Sequence, residues 1–424
     1  MRPKKKNDRG SEFASNIPRY FMYISLKGFG FGLFAALWVI YLQQQRGLSL
    51  SQAALLDVTF FVAAAIGEIP TGIVADMYGR KTSLTIGAAL LSMGILGWTF
   101  APSIPLILVA YVAMGIGLTF LTGAEDAFFY ESMQITGRED DYTRLVGRAG
   151  ATFLGGLALG SALSGLFASI NLTLPFLIAG LADVVMLGVV LSFKEPEAKE
   201  KSDRKVRKPF REILGQAVAL VRARPTLRYP MIYLALVPLA SFMVEVVLIQ
   251  PQALALGVPI AVIGMIWSGI MITNMAGATW SDQVKAHLGE VQLLYMAPVI
   301  IISSVILLAV FQIVPALVLI AAMGFFTSVL RPILLSHIQS EVSDDIRATI
   351  ISLQSLMFTF LAAISMPSLG FIADRYGLPT AYFVLAGALT ILILFLLWRS
   401  RRYFPQASLP AQEQVDFRPA EMLE

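Results

Sequence analysis

The chain has 424 residues, of which 57% are hydrophobic, and only 14% are charged where soluble domains carry about 25%. That leaves too little polar surface to cover a water-soluble core, and a mean hydropathy of +0.72 points to a multi-span membrane protein. The absence of Cys excludes disulfides, thiolate nucleophiles, iron–sulfur clusters and Cys-ligated zinc, and the two His argue against a histidine metal site. The net charge of +4 has to be counted loop by loop in such a chain, so it does not point to nucleic acid.

The basic start, with Arg2, Lys4, Lys5 and Lys6, is not a cleavable signal peptide, because the apolar segment behind it begins only near Tyr20 and is too long for one. Stretches able to cross a bilayer, about 20 residues each, fall at 20–42, 53–76, 82–101, 104–127, 145–169, 173–193, 229–253, 259–281, 290–311, 315–337, 348–372 and 378–398. Pro70, Pro175, Pro238 and Pro367 lie inside or at the ends of these stretches. Between the sixth and seventh stands a polar segment, 194–228, with eleven Lys/Arg against five Asp/Glu. The organisation predicted is a tail over 1–19, a six-helix bundle over 20–193, a basic linker over 194–228, a second bundle over 229–398 and a tail over 399–424.

Loop charges set the direction. Arg80, Lys81, Arg138, Arg144, Arg148, the linker, Lys285, Arg347, Arg399, Arg401 and Arg402 fall on one side, with only Arg46 and Arg375 on the other. Positive-inside bias places both termini and the linker in the cytosol. A weak internal repeat relates residues 144–182 to 347–388, with Gly165-Leu-Phe-Ala-Ser169 opposite Gly370-Phe-Ile-Ala-Asp374. Duplicated six-helix units suit a cavity that opens alternately to each side.

The most informative run is GEIPTGIVADMYGRK, residues 67–81. Gly72 would let a neighbouring helix approach, Gly79 permits a tight turn, and Asp76 with Arg80 and Lys81 sets opposite charges where helices can be latched. The pattern resembles the loop 2–3 signature of the major facilitator superfamily of secondary transporters, and the resemblance extends over roughly residues 18–400. It implies an all-α protein of twelve transmembrane helices in two pseudo-symmetric six-helix bundles around a central cavity. It also implies that Asp76 is a gate residue, with Arg80 and Lys81 completing a charge relay. The equivalent loop between spans 8 and 9 is degraded: Asp282 is kept, but Lys285, His287 and Gly289 do not repeat Gly-Arg-Lys. Residues 370–377, GFIADRYG, carry similar lettering at the opposite end of span 11, where they cannot form the same gate. The run LTGAEDAFFYE at 121–131 is similar to a bacterial branch associated with drug efflux.

Ionisable groups inside spans are costly and mark cavities or partners. Lys27 in span 1 either snorkels or faces the central path. Glu68 lies eight residues before Asp76, roughly 12 Å deeper, where packing against a basic neighbour and proton carriage are both open. Glu125 and Asp126 are adjacent and cannot share one helical face; either coupling or pairing with Arg138, Arg144 or Arg148 would account for them. Glu245 in span 7 and Arg331 in span 10 would, by the resemblance, face one cavity, where Glu245 is the first candidate for proton coupling or cation contact and pairing with Arg331 across the cavity is the alternative. Asp183 in span 6 ranks lower and needs a partner. Tyr23, Phe31, Phe34, Trp38, Tyr41 and Trp267 either line an apolar pocket or pack between helices.

No phosphate-binding loop or nucleotide domain is present, so neither enzyme, metal nor cofactor is expected. The function expected is a proton-coupled exporter of amphipathic or cationic organic compounds, an antiporter of the multidrug-efflux kind. It would sit as a multi-pass monomer among the lipids of a bacterial inner membrane. Uptake of a polar nutrient or organic anion, with Arg331 and Lys27 as clamps, is the first alternative. A sensor or scaffold without turnover is the second.

Overall fold

The computed structural model describes residues 13–196 and 210–400. The basic residues of the first tail, linker residues 197–209 and the tail from 401 onward lie outside the described residues. Among those described there is helix and no strand. Eleven helices are long and apolar enough to cross a membrane, or twelve if one bent pair counts as a single span. That matches the twelve apolar stretches of the sequence.

The bent pair is span 1. Helix α1 (Asn16–Ala35) and α2 (Trp38–Arg46) meet at 46°. There follow α3 (Leu50–Tyr78), α4 (Arg80–Phe100), α5 (Ile104–Ile135), α6 (Tyr142–Ile170) and α7 (Leu174–Leu191). After the linker come α8 (Phe210–Ala223) and span 7. That span is built of α9 (Pro225–Phe242), a π-helical turn (Met243–Leu248) and α10 (Ile249–Ala255). Pro238, inside α9, has no N–H to give to the helical ladder, and the wider turn begins five residues after it. The rest are α11 (Ile260–Thr279), the short α12 (Ser281–Leu288), α13 (Glu290–Val310), α14 (Val318–Ser340), α15 (Asp344–Tyr376) and α16 (Leu378–Ser400).

The chain divides into two compact units, one of residues 1–205, 245–272 and 366–375, the other of 206–244, 273–365 and 376–424. In the first, α1 and α6 cross on bare backbone. A Cβ on Gly28 would strike Phe153 O, one on Gly32 would strike Leu157 O, and one on Gly160 would strike Phe29 O. Small residues permit this approach, which in lipid is held by dispersion contact rather than by expulsion of water. Around the break in span 1, Tyr41 and Trp98 pack on Phe176 with ring centroids 4.5 and 5.0 Å away. A second cluster stacks Tyr20 on Phe129 at 4.2 Å. In the second unit, the Tyr233 hydroxyl donates to Leu294 O at 2.5 Å, and Ser241 and Thr327 share a hydrogen bond of 2.7 Å.

Candidate functional site

The first unit brings together a charged cluster between spans 1 and 4. Lys27 on α1 lies about 16 Å along the helix from Asn16, and Glu125 on α5 about 15 Å from Ile135. Lys27 Nζ donates to both Glu125 oxygens, at 2.9 and 2.7 Å, and the Tyr23 hydroxyl donates to Glu125 Oε2 at 2.9 Å. The rings of Tyr23 and Phe153 each have their centroid 6.0 Å from the ammonium. The two charged side chains are only 11% and 14% exposed. A pair this enclosed is strongly coupled: removing one partner leaves the other charge without compensation. Asp126, the next residue, turns the other way and is exposed. The expected partners Arg138 and Arg144 bind Asp141 instead, at 3.4 and 2.6 Å. Arg138 precedes α6 and Arg144 lies in its first turn, so each reaches an acid three residues away sooner than one on α5.

The signature loop forms a second cluster, where α3 ends and α4 begins. Gly79 has φ +100°, a conformation that glycine adopts without strain. Asp76 pairs with Arg80 one turn on, at 2.8 Å, with its side chain 45% exposed, and Arg80 also reaches Glu131 on α5 at 3.5 Å. Glu195, just past α7, accepts the amides of Arg80 and Lys81 at 2.7 and 2.9 Å. Burial raises the Glu195 carboxyl above its ordinary range, and the two amides oppose that rise. No atom lies within 4 Å of where a Gly72 Cβ would sit. The close helix approach expected at Gly72 is therefore not made: the face it presents is open.

Other expected residues are more scattered. Glu245 is buried in the π-helical turn, where its carbonyl accepts Trp267 Nε1 at 3.3 Å. It belongs to the first unit, whereas Arg331, exposed on α14, belongs to the second. Glu68 is exposed on α3. Tyr23, Trp38 and Trp267 are buried side chains, while Phe31 is exposed.

Two buried acids stand out against these. Asp57 on α3, passed over inside an apolar stretch of sequence, is 8% exposed. It makes no hydrogen bond or ion pair among the described residues, and the buried Tyr111 of α5 lies within its field. Asp183 on α7 is 1% exposed, and its Oδ2 has no hydrogen-bond partner among the described residues. A Cβ on Gly30 would lie 2.9 Å from Asp183 Oδ1. Glycine on α1 makes room for it.

A family profile described as Major Facilitator Superfamily matches residues 20–318. The MFS-type transporter YxaM of Bacillus subtilis (strain 168) is 26% identical over 162 residues, 38% of this chain. That match spans 39% of YxaM's own length. A class H tetracycline resistance protein of Pasteurella multocida is 22% identical over 339 residues, 76% of this chain and 80% of that protein. The crystal structure of the nucleoside transporter NupG superimposes with a TM-score of 0.73 at 15% identity, covering 90% of this chain and 98% of NupG.

Proposed function

The chain belongs to the major facilitator superfamily, and on that premise we propose that it is a proton-coupled exporter of amphipathic or cationic organic compounds, working by alternating access. The observation that carries this reading is the Lys27–Glu125–Tyr23 cluster. Glu125 spends both oxygens on an ammonium inside the bundle, so it is a carboxylate already built to hold a cation. A proton and an organic cation compete for such a group, and binding one disfavours the other. That competition is the elementary step of an exchanger. Lys27 supplies the resting cation, and the phenol of Tyr23 fixes the carboxylate's orientation. Asp57 and Glu245 are the further carboxyls available for proton carriage, because an acid inside a span marks a functional position.

The tetracycline-resistance relative supports export. Anion uptake finds less support, since the Lys27 ammonium that would clamp an anion is occupied by Glu125. The site of action proposed is the bacterial inner membrane, with both termini and the signature loop in the cytosol, from the loop charges.

The test is Glu125→Gln in proteoliposomes under an imposed pH gradient, against a panel of cationic dyes, sugars, amino acids and lipids. Gradient-driven accumulation and exchange of a cationic dye should both fall, because the amide can hold neither a proton nor a cation and leaves Lys27 without its counter-charge. Accumulation equal to the parent's, with unchanged pH dependence, would remove Glu125 from coupling.

A further inference from the structure

Helix α3 starts at Ser49-Leu50-Ser51-Gln52, and a helix start leaves four amides without helical partners. Ser49 and Gln52 satisfy each other in a capping box: Gln52 N donates to Ser49 Oγ at 3.2 Å and Ser49 N to Gln52 Oε1 at 3.0 Å. The Ala53 amide reaches Ser49 O at 3.0 Å. The remaining two amides are met from the far end of the sequence. Leu50 N donates to Asp374 Oδ1 at 3.0 Å, Ser51 N to Asp374 Oδ2 at 2.9 Å, and Ser51 Oγ to the same oxygen at 2.7 Å. A carboxylate bridging the first amides of a helix is a charge-assisted contact, favoured again by the helix dipole.

One turn before Asp374, on the same face of α15, stands Gly370. A Cβ there would lie 2.7 Å from Ser51 Cα and 2.8 Å from Ser51 N. The two helices therefore meet on backbone, and the lettering Gly-x-x-x-Asp has a mechanical meaning: the glycine admits the helix start and the aspartate grips it. The repeat partner of Gly370, Gly165, meets a helix start in the same way, with a Cβ falling 2.5 Å from Ile260 O and 2.6 Å from Ala261 O at the beginning of α11. There the position of Asp374 is taken by Ser169, whose hydroxyl turns back to Leu166 O on its own helix at 2.7 Å. Both copies of the repeat keep the close approach, and only the α15 copy carries the grip. Near them Gln250 of α10, fully buried, accepts Val39 N at 2.9 Å and Ile40 N at 3.3 Å and donates to Ala35 O at 3.1 Å, closing the break in span 1.

We propose that Asp374 is a latch of the transport cycle: its carboxylate holds the start of α3 against α15 while this end of the first unit is closed, and releases it for this end to open. In the loop-charge topology this is the non-cytosolic face, so the latch is the counterpart of the Asp76 signature at the opposite face. The inference rests on the proposed function only in requiring that the protein changes conformation. It does not depend on which solute or ion is carried.

The experiment uses the full chain, which has no Cys of its own, so an introduced pair reports alone. Leu55→Cys on α3 and Phe371→Cys on α15, both exposed, are spin-labelled, and their distance distribution is measured in purified, reconstituted protein without substrate. In the Asp374→Asn background the ratio of short-distance to long-distance population should fall roughly fivefold or more. Ser51→Ala, which removes one donor of three, should give a smaller fall. Asp76→Asn should leave the short-distance population intact or raise it. Should Asp374→Asn fail to yield folded protein, Gly370→Ala is read in its place and should show the same shift. A parental distribution in whichever of these two variants folds would overturn the latch. Failure of the Glu125 assay with a shifted distribution here would leave the latch standing and remove only the coupling scheme.

Discussion

Two helices of the first unit begin on a borrowed carboxylate. At the start of α4, Glu195 accepts the amides of Arg80 and Lys81; at the start of α3, Asp374 accepts those of Leu50 and Ser51. The chemistry is the same and the lengths are nearly so, yet the chain routes differ. Glu195 follows α7, which packs along α4, so cap and capped helix travel together. Asp374 comes from more than three hundred residues downstream, at the tip of α15. Bond type alone does not separate a fixed cap from a releasable one; what separates them is whether donor and acceptor ride on elements that move as one.

The sharpest way to break this comparison is at the glycines. Gly370→Val places a branched side chain where a Cβ already falls 2.7 Å from the Ser51 backbone. Backbone on backbone has nowhere to yield, so the variant should lose about 1–3 kcal/mol, visible as a lower melting temperature, and should abolish transport. Gly72→Val, whose Cβ meets open space, should melt like the parent. Equal losses would mean that the two motifs are not distinguished by packing.

Next in size are the caps themselves. Glu195→Ala and Asp374→Ala each remove a carboxylate from two helix-start amides, and loss of a cap costs roughly 0.5–2 kcal/mol. Glu195→Ala should lower the melting temperature and leave the Leu55–Phe371 distance distribution unchanged. Asp374→Ala, which removes as many bonds, should lower the melting temperature comparably and also shift the distribution. Identical behaviour would make both of them plain caps.

The smallest effect is a pH dependence. Burial raises the Glu195 carboxyl above the ordinary glutamate range against the pull of its two amides. A group with a raised folded value favours its protonated form in the fold. Its contribution is complete below the ordinary glutamate range and is lost as pH climbs through the raised folded value. Glu195→Gln cannot titrate and should flatten that part of the melting-temperature profile. A parental slope in Glu195→Gln would assign the slope to another group.

Much of this architecture is legible in the sequence. A span is a run of about 20 apolar residues, so twelve runs give the spans directly. The break after Ala35 was not legible, because nothing around Leu37 departs from a helical pattern; the deciding partner, Gln250, lies more than two hundred residues away. Lys27 and Glu125 are each visible as costly charges, but their pairing is a contact 98 residues apart in sequence, whereas Arg138, Arg144 and Arg148 stand nearer the acid along the chain. Asp57 was missed because one carboxylate does not interrupt the hydropathy of its stretch. The 370–377 lettering is legible too, but it lies at the wrong end of span 11 for the cytosolic gate. The structure gives it a partner of its own.

The π-helical turn at Met243–Leu248 carries a consequence for the seam in span 1. Such a turn accommodates one residue more than an α-helix does over the same rise, so span 7 contains a spare position just ahead of Gln250. Deleting one residue from that turn would let the span wind as ordinary α-helix and swing everything beyond it by about 100°. Gln250 would then face away from the Val39 and Ile40 amides, leaving the kinked segment unsealed in lipid. The extra residue thus acts as an azimuthal setting: it aims one amide side chain, and its loss would be felt by a different helix from the one that carries it.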